Sequence, residues 1–174
     1  MRKLHSLAMI LGVFCLAVAA QAENMVVQVE GRGTITIQLF TKEAPKTTAH
    51  IMRLARSGFY DGQRFHLVIK SPRPYRVQVG DPASRSGDLD SVGQGGSGAK
   101  IAYEDSGKSN VEGAVGLSTV PGDKNSGDSQ FYMLLGNARF LDGSYTVFGK
   151  VTEGMDVLKK VEKGDRVTKV TITE

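Results

Sequence analysis

Arg76 and Gln78 stand two residues apart in the run Arg76-Val77-Gln78-Val79, and a strand would turn both side chains to one face. A cation beside an amide offers hydrogen-bond donors and one acceptor. It contains no nucleophile. Other chemistries find less support. His50 and His66 are the only histidines beyond residue 22, and neither has a carboxylate or second histidine at metal-ligand spacing. No metal is expected. Ser129, in Gly127-Asp128-Ser129-Gln130, has no G-x-S-x-G elbow and no local base. Gly93-Gln94-Gly95-Gly96-Ser97-Gly98 fits the glycine spacing of a dinucleotide loop. Such a loop must join a hydrophobic strand to a helix, whereas polar residues precede this one and an extended run follows it. It reads as a plain loop, and no cofactor is expected.

The elements that must position these residues are short. Apolar or β-branched runs at 25–29, 34–39, 65–69, 76–79, 100–103, 113–118, 131–135, 146–151 and 167–173 are bounded by Gly, Asp, Asn or Pro. Gly31-Arg32-Gly33 reads as a hairpin turn between the first two runs, and 65–69 and 76–79 as a second hairpin. Two helices are predicted. One starts at Pro45, carries Ile51, Leu54 and Ala55 at helical spacing and stops at Ser57-Gly58. The other covers 155–161 and is followed by Gly164. Many short strands with two isolated helices predict a mainly β fold, a closed antiparallel barrel capped by the helices. The Gly/Ser/Asp-rich span 80–98 is expected to be a long surface loop.

Length and charge bound the rest. Of the 174 residues, 1–22 read as a cleaved secretory signal peptide, with Arg2 and Lys3, an apolar stretch over 7–19 and an Ala20-Gln21-Ala22 site. That leaves residues 23–174 as one domain of an exported, periplasmic protein. The single cysteine, Cys15, leaves with the signal, so no disulfide and no thiol chemistry are expected. Removing Arg2 and Lys3 from 22 basic residues leaves 20 against 18 acidic ones, a net charge of +2. That is too small and too interspersed to indicate nucleic acid or an anionic membrane. A monomer without nucleic-acid partner, and without membrane attachment after signal cleavage, is expected.

Phe65-His66-Leu67-Val68, Gln78-Val79-Gly80-Asp81, Ser129-Gln130-Phe131-Tyr132, Phe140-Leu141-Asp142-Gly143 and Val147-Phe148-Gly149-Lys150-Val151 follow one another in this order. With Ala44-Pro45-Lys46-Thr47, Ser57-Gly58-Phe59-Tyr60-Asp61-Gly62 and Glu153-Gly154-Met155-Asp156-Val157, they cover nearly all of the chain after residue 22. The set resembles the cyclophilin family of peptidyl-prolyl isomerases. The resemblance implies an eight-stranded antiparallel barrel with two helices, and partners that are proline-containing segments of extended polypeptides. Isomerising an X-Pro bond means crossing a barrier of about 20 kcal/mol set by amide resonance. The enzyme must hold the proline ring, fix the flanking backbone and stabilise the twisted amide.

By position, the resemblance puts the proline pocket at Tyr75, Arg76, Tyr132 and Leu141, with Phe140 and Tyr145 as its outer wall. It puts Gln78 on the active face and Gln130 on the substrate side. Leu67 falls on the substrate-facing position where the family carries its catalytic arginine. Arg76 stands where the family is usually apolar. Thr119, Val120 and Pro121 fall in the stretch where the family has a backbone-binding segment ending in asparagine, and Pro121 has no amide hydrogen. Residues 70–74 make the loop about three residues longer than the family norm. Two readings follow: the catalytic cation is relocated, to Arg76 or to Arg73 on the longer loop, or Arg76 snorkels from the pocket rim to solvent. Two readings of the protein follow as well. It is an isomerase of reduced activity that assists folding of exported proteins, or it is a non-catalytic proline-peptide binding module or holdase.

Overall fold

The computed structural model describes residues 23–73 and 75–174. The signal-peptide expectation for 1–22, and Pro74 of the 70–74 loop, lie outside the described residues. Eight strands are found among them: β1 (Asn24–Val29), β2 (Gly33–Leu39), β3 (Leu67–Ile69), β4 (Arg76–Val79), β5 (Ala114–Leu117), β6 (Phe131–Leu134), β7 (Val147–Glu153) and β8 (Val167–Thr173). Two α-helices accompany them, α1 (Pro45–Arg56) and α2 (Met155–Lys160). The strands form one antiparallel sheet in the order β3-β4-β6-β5-β7-β2-β1-β8.

Strand alternation builds the core. Met25, Val27 and Val29 on β1 and Ile35, Ile37 and Leu39 on β2 point inward with Val77, Val79, Phe131, Met133 and Phe148. Ile51, Leu54 and Ala55 seal the core from α1, and Leu158 from α2. Pro45 occupies the first turn of α1, where its missing N–H is no loss. The capping position, Ala44, has no side chain able to cap. The remote Glu104 caps the helix instead. Its carboxylate accepts Lys46 N at 3.0 Å, Thr47 N at 2.7 Å and Thr47 Oγ1 at 2.7 Å.

Two expectations need correction. The barrel is not closed. The sheet is an open half-barrel whose edge strands, β3 and β8, share no ladder. Its ends approach without a ladder, where residues 61–65 meet 164–170 through one bridge, Arg64 to Arg166, and bonds such as Phe65 N to Asp165 O at 3.0 Å. The cause is the shortness of β3, which has three residues and spends them all on β4. The run 100–103 is also not a strand. Only Ile101 forms a bridge, to Gly127, while the N–H groups of Tyr103 and Glu104 are taken by the side chains of Asn125 and Thr146. The span 80–98 contains a short 3-10 turn, Pro82–Arg85, and is pinned to the sheet as described below.

Candidate active site

On β4, β5 and β6 the residues that alternate with the core face outward. Leu67 of β3 pairs with Gln78 of β4, Gln78 with Tyr132 of β6, and Tyr132 with Gly116 of β5. These four make one cross-strand row. The next row holds Ile69, Arg76 and Leu134. Arg76 is therefore on the same face as Leu67, one diagonal step away. Gly116 is required where it stands, because a Cβ there would lie 2.2 Å from the Tyr132 ring.

Gln78 is buried and oriented by a chain of hydrogen bonds. Its Nε2 donates to Gln130 Oε1 at 2.9 Å, and Gln130 Nε2 donates to Gly95 O at 2.8 Å. Gly95 is held in turn by Asp81, whose carboxylate accepts Gly95 N at 2.8 Å, Gly93 N at 2.7 Å and Ala83 N at 2.9 Å. Burial pushes the Asp81 carboxyl up, but the three N–H donors and nearby His66 outweigh it and hold it below the usual carboxylate range. A Cβ at Gly95 would come 2.5 Å from Asp81 Oδ1, so only glycine fits this cradle. The end result is that Gln78 Oε1 is left without a partner. It is a buried acceptor held in place by the amide chain behind it.

The aromatic residues gather beside it. Tyr132, Leu134, Ala114, Ala138, Leu141 and Val147 form a second apolar cluster, with Tyr75, Tyr145 and Phe40 packed against it. Tyr132 is fully buried. Its hydroxyl donates to Asn110 Oδ1 at 2.5 Å, and Asp142 Oδ1 accepts from Asn110 N at 2.7 Å and Asn110 Nδ2 at 3.0 Å. Tyr145 stacks edge-on against Tyr132 at 5.8 Å, and Tyr75 packs on Phe140 at 5.7 Å. Phe140 itself is 76% exposed. Arg76 is half-buried, with Cζ 5.4 Å from the Tyr75 ring centroid and 5.8 Å from that of Tyr132. Its Nε is buried without a partner. The guanidinium thus covers the ring expected to receive proline.

A cleft of about 570 Å³ opens alongside, lined by Leu67, Arg76, Gln78, Gln130, Tyr145, His66 and the 119–121 segment. Leu67, Arg76, Gln78, Gln130 and Tyr145 therefore share one cavity. Tyr75, Tyr132, Phe140 and Leu141 stand behind or beside it and do not line it. Val120, of the same cleft, is 56% exposed. Sequence reasoning considers His66 only as a metal ligand. It is buried on the cleft wall with both ring nitrogens unpartnered, and burial lowers its pKa against the pull of Asp81. Its place in the Phe65-His66 motif could have marked it. Asn110 carries no such signal, because its partner Tyr132 lies 22 positions away.

Comparison with known proteins shows the family. Residues 24–174 match the family model for the cyclophilin type peptidyl-prolyl cis-trans isomerase/CLD. A probable peptidyl-prolyl cis-trans isomerase from Brucella suis biovar 1 (strain 1330) is 35% identical, over 95% of this chain and 90% of its own. Peptidyl-prolyl cis-trans isomerase B of Bacillus subtilis (strain 168) is 35% identical, over 82% of this chain and 93% of its own. In fold, the chain is similar to a Cryptosporidium parvum cyclophilin crystallised in the presence of the dipeptide Ala-Pro, with a TM-score of 0.74. That likeness covers 87% of this chain and 99% of the other at 23% identity. A Gln78 acceptor beside an aromatic cluster, on a sheet of this order and in a chain of this similarity, leads to one conclusion: the protein belongs to the cyclophilin-type peptidyl-prolyl cis-trans isomerase family.

Proposed function

We propose that this protein is an exported prolyl isomerase of reduced activity that acts on proline-containing segments of extended polypeptides. The observation that carries the reading is the unpaired Gln78 Oε1 on the cleft wall, beside the cluster of Tyr75, Tyr132, Leu141 and Tyr145. Export is inferred from the charged, apolar and Ala20-Gln21-Ala22 regions at the N-terminus, and the periplasm is the proposed compartment.

The mechanism follows from what rotation does to the amide. As resonance is lost, the prolyl nitrogen regains its lone pair, and a nearby cation stabilises it. Gln78 Oε1 accepts a substrate N–H and fixes the backbone. The proline ring takes the place of the Arg76 guanidinium against Tyr132, with Phe140 and Tyr145 flanking it. Displaced from the rings, Arg76 turns toward the amide from one diagonal step beyond Leu67. Leu67 offers no donor, so the reaction runs without the contact that an arginine there would make. One preorganised donor is typically worth about 10²–10³ in rate.

Leu67 also favours a second reading, a binding module or holdase on the same fold. A protease-coupled assay on an Ala-Pro peptide, run beside an NMR titration of that peptide, separates the two. Turnover above the uncatalysed rate, abolished by blocking the cleft, supports the isomerase. Binding at Gln78 and Tyr145 with no turnover supports the module, and shift changes confined to 93–98 contradict both.

A further inference from the structure

The charges around the cleft are unevenly committed. Each of its carboxylates is engaged within the protein. Asp90 is paired with Lys163. Asp128 accepts from Ser97 Oγ and from Gly98 N, the latter at 2.9 Å. Two cations on the same wall have no acidic partner. Arg76 lies over Tyr75 and Tyr132 with Nε unbonded, and Lys100 is exposed with no bond or ion pair. Lys163 is neutralised by Asp90. With Asp90 and Lys163 cancelling, Arg76 and Lys100 stand against Asp128, whose donors are neutral, so the cleft carries one net positive charge among the described residues. A low-dielectric wall focuses such a field toward whatever enters.

We infer that the cleft selects proline-containing segments with acidic residues beside the proline, and that Lys100 and Arg76 are its specificity-determining residues. The inference rests on the isomerase reading above and names the class of segment preferred. An extended peptide advances about 3.3 Å per residue, so side chains within a few positions of a seated proline fall along the cleft wall. Lysine or arginine at those positions would meet these two like charges, while the carboxylates of the cleft already hold bonds within the protein.

Three matched peptides with one Ala-Pro each, flanked by glutamates, serines or lysines, test this by NMR titration on the protein lacking residues 1–22. At low salt the glutamate peptide should bind about fivefold tighter than the lysine peptide, the scale expected for solvent-accessible ion pairs. The ratio should collapse toward one at about 0.5 M salt. Lys100→Gln should lower the ratio. Lys42→Gln, which removes the same charge outside the cleft, should leave the ratio intact. Arg76→Lys should keep the preference and Arg76→Gln should weaken it. Equal binding of glutamate and lysine peptides by the wild type overturns the inference and spares the isomerase reading. So does a Lys42→Gln effect as large as that of Lys100→Gln. Failure of all three peptides to bind overturns the isomerase reading, and the inference falls with it.

Discussion

At position 67 a hydrocarbon side chain faces Gln78, and the cation of this face stands at Arg76 instead. Their shared face was legible from strand alternation alone. The fold of the guanidinium back over Tyr75 and Tyr132 was not, because it depends on rings contributed by two separate segments. Of the guanidinium nitrogens only Nε is buried without a partner, so the relocated-cation and snorkelling readings are separated by turnover rather than by this contact. Arg76→Met should lower kcat/KM about tenfold or more while melting temperature stays nearly constant, since the guanidinium supports catalysis and only a weak ring contact is lost. Unchanged turnover would dispose of the relocated cation. Tyr132 is a poor site for a truncation test, because it is fully buried and Tyr132→Ala would unsettle the fold. Tyr132→Phe is milder. It leaves Asn110 Oδ1 without its donor and should reduce unfolding free energy by about 1–3 kcal/mol in a urea titration.

Helix α1 begins without a capping side chain of its own, and Glu104 supplies the acceptors from 57 residues further along the chain. Glu104→Ala should cost about 1–2 kcal/mol in the same titration, with Glu104→Gln recovering part of it through its one carbonyl oxygen. An Ala variant as stable as wild type would show that the cap is idle. Pro45 and the spacing of Ile51, Leu54 and Ala55 made the helix legible, whereas its cap was not, because the partner is remote. The same distinction explains the two misreadings of the sheet. Residues 100–103 have strand-like composition, but side chains intercept the backbone donors where the run ends, Asn125 at Tyr103 and Thr146 at the adjoining Glu104. Closure of the barrel depends on the length of β3, which composition overstated by two residues at Phe65 and His66.

The molecule as a whole couples two buried histidines to pH. Burial lowers the pKa of His50 and of His66 below the usual histidine value of 6.5, helped at His50 by Arg53. As pH falls, the unfolded chain takes up these protons before the native one. Their contribution is therefore fully present above about pH 6.5 and is lost as pH drops through the lower native values. Melting temperature should decline from pH 7.5 to 5, and His66→Gln should flatten that slope; an unaltered slope would show that His66 does not drive it. Export makes a separate prediction: intact mass of the secreted protein should begin at Glu23, and a species retaining residues 1–22 would contradict it. The family was legible because its motifs are short and ordered, with Phe65-His66, Gln78 and Phe140-Leu141 each in place. What the order could not convey was which face stayed charged, since that is decided by pairs such as Asp90–Lys163 that meet only in space. If Leu67 limits the chemistry and the rest of the site is competent, restoring the family pattern should restore the rate. The most direct measurement is kcat/KM for Ala-Pro isomerisation, at fixed salt, by the wild type and by Leu67→Arg/Arg76→Met, which makes that restoration without setting two like charges side by side. The double variant should be faster by about 10²–10³. A double variant that folds normally and is no faster would show that position 67 is not what limits the reaction.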